Sequence, residues 1–298
     1  WPHAELFGDV RQLNKAQLEQ LLMRYPTVTE LHVWGGFPCV DLSSVNVRGQ
    51  GLDGPQSSLF YELKRVLKEL KEIGHVKVKF IAENVASMPK HECERITEEL
   101  QVKPYHLNCA DAVPMQRPRL CWTSECLEGC LGGITFSEEQ YWVTVSAPAA
   151  YPQQADWITE GTWWPGGDEG YTLPTALKSI ERKRPPPAPA GIHRCDTDTL
   201  ARWTSDSYRF PPYHYLPRFI FWTDDKWRLA NSSEKELLLG YGFNHTKLCF
   251  SASKIKSSGQ KYEDERLCLL GDSFSVFSFI IPAAALCKHL LPTLQYSQ

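Results

Sequence analysis

Residues 33–46 read V-W-G-G-F-P-C-V-D-L-S-S-V-N. Leu31, Val33 and Trp34 form a short apolar run that Gly35-Gly36 breaks, the pattern of a buried strand ending in a turn. Cys39 follows Pro38 directly. That order places it on a loop leaving the strand's carboxyl end, where open α/β sheets bind their ligands. A buried cysteine packing as a small hydrophobe is the plainer reading of the same residue. The surrounding sequence has to separate the two.

Outward from this stretch, strand and helix patterns alternate. Leu59, Phe60, Leu63, Val66, Leu67, Leu70 and Ile73 make one apolar stripe on a helix over 57–73, with Gly74 as its stop. A strand at 76–82, a helix near 91–100 and a strand at 104–109 follow. Upstream, Glu5 to Gly8 reads as a strand end, and Asn14 to Tyr25 has helical spacing at Leu18, Leu21 and Leu22. Such alternation predicts a mostly parallel sheet with helices on both faces.

Composition changes after Ser124. Residues 125–230 are rich in Trp, Pro, Gly and Tyr, with a loop-like W-W-P-G-G-D at 163–168. Lys178, Arg182, Lys183 and Arg184 run into P-P-P-A-P, which predicts an extended polyproline segment. Residues 218–230 read as a hairpin about T-D-D-K. Ser233 and Glu236 read as a capping box opening a short helix that ends near Gly240. L-L-G-D-S-F-S-V at 269–276 precedes an apolar helix up to Leu291. The chain therefore divides into 1–122, 123–217 and 218–298, the last part returning to the first.

The 298 residues, 42% hydrophobic and 22% charged, suffice for a sizeable core. A net charge of −3 excludes a polycation, so any nucleic-acid contact must be a local basic surface. Ten cysteines without regular spacing, and no hydrophobic leader before them, predict reduced thiols rather than a disulfide framework. Asn231-Ser-Ser and Asn244-His-Thr match the glycosylation pattern by chance in such a chain. The apolar run Phe274 to Leu286 is short and contains Pro282, so a soluble chain with no membrane contact is expected. Cys121, Cys126 and Cys130 are irregularly spaced with no partner His nearby, and no metal site is expected.

Five stretches, in this order, resemble motifs of the DNA cytosine-5 methyltransferase family. They are G-D-V-R at 8–11, G-G-F-P-C-V-D-L-S at 35–43, A-E-N-V-A-S-M at 82–88, Q-R-P-R-L-C-W at 116–122 and G-D-S-F-S-V at 271–276. D-L-S-S-V-N after the cysteine looks most like the animal de novo branch. The resemblance implies a three-layer, Rossmann-like α/β methyltransferase fold with a small target-recognition subdomain. It also implies S-adenosylmethionine as cofactor, double-stranded DNA as partner, a nuclear location, and a homo- or hetero-oligomer as in that branch. It assigns cofactor contacts to Asp9, Val10, Pro38, Leu59, Asp272, Ser273 and Ser275. Substrate contacts fall to Ser43, Arg48, Asn84, Lys178 and Arg182, and catalysis to Cys39, Glu83, Arg117 and Arg119.

The chemistry asks for these groups in its own right. Cytosine C5 is a poor nucleophile, and a thiolate adding at C6 converts the ring to an enamine whose C5 can attack; Cys39 is the candidate. Addition is easier if N3 is protonated or hydrogen-bonded, a task for Glu83 at the end of a buried strand. The charge developing at O2 needs a fixed cation, which the family pattern assigns to Arg119, with Arg117 orienting the loop. A target inside a duplex must be flipped out at a cost of roughly a few kcal/mol, and the loop Val45–Gln56, with its three glycines and Arg48, is the candidate mobile element. Taken singly, each residue has a plainer reading: Asp9 as a turn or cap, Glu83-Asn84 as a cap, Arg117 and Arg119 as a solvated pair, the 178–184 run as a solvated face.

Two departures stand out. The glycine-rich first motif and the acidic residue that grips the ribose would lie just before Trp1, so the sequence reads as a fragment that binds S-adenosylmethionine poorly. Asp272 places a carboxylate where it opposes the cofactor's own. Two rivals remain: a tRNA cytosine-5 methyltransferase, against which V-D-L-S stands in place of Gln-Pro-Phe-Thr, and an inactive, methyltransferase-like regulatory protein that binds DNA.

Overall fold

The computed structural model describes residues 5–148, 151–249 and 259–287. By its contacts the chain falls into two compact units. One comprises residues 1–107, 118–146 and 280–298, the other 108–117 and 147–279.

The first unit is built on α1 (Lys15–Met23), β1 (Glu30–Gly36), α2 (Phe60–Ile73), β2 (Lys77–Val85), α3 (Lys90–Leu100), β3 (Tyr105–Asn108), β4 (Pro118–Thr123), β5 (Thr135–Glu138) and β6 (Val143–Ser146). The six strands form one sheet in the order β1-β2-β4-β3-β6-β5. β1 runs parallel to β2 and β3 parallel to β6, but β2 with β4 and β5 with β6 are antiparallel. The mostly parallel sheet expected from alternation is thus a mixed one. The cause lies after β3, where short connections replace the helical crossovers that parallel neighbours need.

Strand pleating sorts the core into layers. On one face Val33, Phe80, Ala82, Leu120 and Trp122 pack with Phe60 and Leu67 of α2 and Ile96 of α3. Leu18 and Leu22 of α1 join Val66 and Leu70 of α2 beside them. On the other face Cys121, Leu107 and Val145 pack with Ala285 and Ile281. Helices therefore cover both faces. α1 starts on a capping box between Asn14 and Gln17, and α2 stops at Gly74, whose φ of 74° is left-handed. Glu5 to Gly8, expected as a strand end, forms no strand; Leu6 and Phe7 are exposed there, with no neighbouring strand to receive them.

The second unit holds α4 (Gln154–Trp157), α5 (Pro165–Asp168), α6 (Thr197–Ser205), the hairpin β7 (Phe221–Thr223) and β8 (Lys226–Arg228), α7 (Ser232–Leu238) and α8 (Gly259–Asp272). The hairpin turns where expected, with Thr223 opposite Lys226. Pro165 starts a helical turn within the stretch expected as loop. Ala188 has a φ of 56°, which interrupts the expected polyproline segment. The capping box of α7 is Asn231 with Glu234, not Ser233 with Glu236, because Glu236 is buried and ion-paired with Arg266 at 3.0 Å. Contacts divide the chain elsewhere than composition does. Phe221, Ala230, Leu238 and Leu270 pack with Trp157 and Trp164 in one core, which groups 218–279 with 147–217.

Helix α9 (Val276–Leu286) follows α8 across Ser273 to Ser275. The span Gly259–Leu286 is long and apolar enough by composition to cross a membrane. Its end instead docks on the sheet, where the Leu286 carbonyl accepts from Lys79 Nζ at 2.8 Å. The rest of the apolar run expected up to Leu291 lies outside the described residues.

Candidate active site

β1 and β2 end side by side, with Gly36 in register with Glu83, and β4 enters antiparallel, with Arg119 opposite Val85. Three of the candidate segments are thereby collected at one end of the sheet. Glu83 and Arg119, only 7% and 8% exposed, form an ion pair with Nε 2.6 Å from Oε1. Cys121, in register with Glu83, is fully buried, and burial first and the Glu83 charge second push its thiol up. It is a core cysteine. Among the described residues no cluster of three or more His, Cys, Asp or Glu is placed to hold a metal.

Cys39 lies on the loop that leaves β1, half-buried against the core under α2. Its carbonyl accepts from the N–H groups of Leu42 (3.0 Å) and Ser43 (2.8 Å), so Cys39 opens a helical turn. Asn84 was expected to touch substrate. Its buried amide donates to the Phe37 carbonyl at 2.9 Å and its oxygen accepts from the Val85 N–H at 2.8 Å. These bonds hold the backbone just before Pro38. Ser43, half-buried, accepts from the Val45 N–H at 3.4 Å. Arg48 is exposed, and Val45 and Val47 beside it are 47% and 70% exposed, so the loop tip offers apolar groups and one cation to solvent.

Asp9 caps the turn Val10–Gln12, and Arg11 engages both of its carboxylate oxygens. Hydrogen bonds from Arg11 hold its carboxyl down at about 2. Leu59 sits at the entry to α2, and Pro38 offers a carbonyl already engaged by Ser57 Oγ at 2.7 Å.

The remaining candidates lie in the second unit. Arg117 is buried, and its guanidinium donates to the carbonyls of Ala176 (3.1 Å), Gly271 (3.3 Å) and Ser273. Expected among the catalytic residues, it is here a tie that fastens the 271–273 turn. Gly271 is required at that turn, since a Cβ there would lie 2.6 Å from the Lys178 backbone nitrogen. Lys178, expected on DNA, pairs with Asp272, expected on cofactor, at 2.7 Å; the unfavourable carboxylate is thereby compensated. Arg182, also expected on DNA, donates to the carbonyls of Ile180, Tyr208 and Arg209. Ser273 Oγ donates to the Leu270 carbonyl at 2.9 Å.

Each unit retains groups that fit S-adenosylmethionine. Asp9 supplies a half-buried carboxylate, shared with Arg11, next to an apolar Val10. Ser275 Oγ is buried with no hydrogen-bond partner among the described residues. Asp41 and Ser57, which sequence reasoning missed, are the residues that shape the Cys39 loop; an Asp among small loop residues carries no signal that distinguishes it from an ordinary turn former.

Residues 2–119 match the family described as C-5 cytosine-specific DNA methylase. No curated protein matches the chain in sequence. In structure it is similar to the Entamoeba histolytica methyltransferase EhMeth at 11% identity and a TM-score of 0.52, over 98% of this chain and 85% of that one. The S. pombe Dnmt2 methyltransferase aligns at 13% identity and a TM-score of 0.49, over 95% of this chain and 84% of that one. Residues 2–119 thus match a C-5 cytosine-specific DNA methylase domain, and the chain as a whole has the Rossmann-like α/β fold of the methyltransferases.

Proposed function

We propose that the protein methylates C5 of cytosine in DNA. The observation that carries this reading is the Glu83–Arg119 pair at the same end of the sheet as the Cys39 loop. S-adenosylmethionine, when bound, supplies the methyl group. Cys39 Sγ adds to C6 of the flipped base, and the ring electrons this displaces make C5 nucleophilic. Glu83 faces the N3 edge, and Arg119, already bonded to Glu83, answers the charge at O2. Once C5 carries the methyl group, solvent water takes the C5 proton, its electrons reform the C5–C6 double bond, and Sγ leaves as the thiolate, which restores the aromatic ring. The exposed tip with Val45, Val47 and Arg48 suits a loop that fills the space left by a flipped base.

DNA is preferred over tRNA because V-D-L-S follows Pro38-Cys39. Radiolabelled S-adenosylmethionine, offered with duplex DNA and with transfer RNA, tests this. The expected product is 5-methyldeoxycytidine after nuclease digestion. Label confined to the RNA would overturn the DNA reading, and transfer to neither would favour a regulatory protein.

A further inference from the structure

Asp41 stands two residues after Cys39, at the mouth of the same loop. Its Oδ2 accepts from the backbone N–H groups of Gln56 and Ser57, both at 3.1 Å. Its own N–H donates to Ser57 Oγ at 3.2 Å, and that hydroxyl donates to the Pro38 carbonyl at 2.7 Å. The Asp41 carbonyl accepts from the Gly51 N–H at 3.0 Å. One side chain therefore gathers the outgoing and returning arms of the loop, and Ser57, fully buried, extends the tie to the residue before the thiol.

The returning arm is shaped to admit Asp41, at Gly54 its carboxylate and at Gly49 its backbone carbonyl. A Cβ on Gly54 would lie 2.2 Å from Asp41 Cγ, and one on Gly49 would lie 2.3 Å from the Asp41 carbonyl oxygen. Charge-assisted bonds from two successive N–H groups are stronger than neutral ones and fix direction as well as distance. A solvated loop aspartate would need neither the bonds nor Gly54.

We infer that Asp41 and Ser57 form a clasp that fixes the Pro38 backbone and hence where the Cys39 sulfur stands, making both positioning residues for the thiol. The link to catalysis rests on the reading of Cys39 as nucleophile; the clasp rests on the hydrogen bonds. A displacement of about 1 Å at a reacting group is enough to slow a reaction by about a hundredfold.

The test uses the full chain with D41N, S57A and G54A. D41N exchanges the charged acceptor of two N–H groups for a neutral amide oxygen, S57A removes the hydroxyl that links the Asp41 N–H to the Pro38 carbonyl, and G54A wedges the carboxylate out. Iodoacetamide labelling, followed by mass spectrometry, compares Cys39 with the exposed Cys126 as an internal standard. Methyl transfer to duplex DNA gives kcat and KM. Cys39 labelling should rise by about threefold or more with Cys126 unchanged, and kcat should fall by about tenfold or more with the KM for DNA within about twofold. S57A leaves the Asp41 bonds to Gln56 and Ser57 in place, so it keeps the test decisive if the other two variants unfold. Cys39 labelling and kcat within about twofold of the parent in the folded variants would overturn the clasp. So would a rise in Cys126 labelling equal to that of Cys39, which reports general loosening. If the parent protein transfers no methyl group, the labelling comparison alone decides the clasp.

Discussion

Glu83 and Asn84 are neighbours in the chain with opposite fates. Pleating turns Glu83 toward Arg119 and the buried Cys121, while Asn84 reaches the Phe37 carbonyl. Sequence reading treats the two as one motif, because adjacency is visible in a sequence and strand pleat beside a particular partner is not. Arg117 and Arg119 separate in the same way, one fastening carbonyls and the other pairing a carboxylate. Breaking the buried Glu83–Arg119 pair should be costly, about 3–5 kcal/mol for loss of one partner, since the other charge stays buried. Glu83→Gln should also slow methyl transfer by roughly 10²–10⁴-fold while DNA binding persists. Arg119→Ala should slow transfer as well, and the Glu83→Gln/Arg119→Ala double variant should lose less stability than the two single losses added together. Denaturant melts and initial rates on the same samples check this; strict additivity and near-parent turnover would make the pair a surface ornament.

Elements with strong periodicity were legible. The stripe from Leu59 to Ile73 became α2, and the apolar run before Gly35 became β1. Capping was harder, because Asn231/Glu234 and Ser233/Glu236 have the same spacing, and only tertiary burial of Glu236 with Arg266 separates them. The buried polar groups near α7 were not legible at all. His214 is stacked on Phe210, and burial first, then the Lys235 charge, pull it down to about 3. Burial likewise lowers Lys235 to about 8, against the opposing charges of Glu263, Glu234 and Asp206. The unfolded chain protonates this histidine near its ordinary 6.5, so the folded form binds fewer protons between about 6.5 and 3. Stability should therefore fall as pH drops through that window, with a limiting slope of about 1.4 kcal/mol per pH unit from this group. Lys235 works at the other end: stability should rise from about pH 8 toward 10.5, where the folded chain has given up this proton and the unfolded chain still holds it. Thermal melts of His214→Phe should show a flatter acid limb than the parent. An unchanged acid limb would mean that the histidine is solvated in the folded protein.

At the scale of the whole molecule, the order of five short motifs carried more information than composition did. Composition changes at Ser124, whereas contacts gather residues 218–279 around Trp157, Trp164 and Phe221; the Trp164 and Phe221 rings stack at 5.6 Å. Aromatic side chains far apart in sequence make that core, and no local pattern announces which of them meet. With a net charge of only −3, the proposed DNA binding would have to rest on local cations such as Arg48 at the loop tip. The proposed reaction turns on one sulfur. DNA carrying 5-fluorocytosine, incubated with the protein and S-adenosylmethionine, should trap a denaturation-resistant adduct, because fluorine at C5 blocks the elimination that frees the enzyme. Peptide mapping should place the crosslink on Cys39, and Cys39→Ser should abolish it. An adduct that survives Cys39→Ser, or one mapped to another cysteine, would contradict the assignment of Cys39 as the nucleophile.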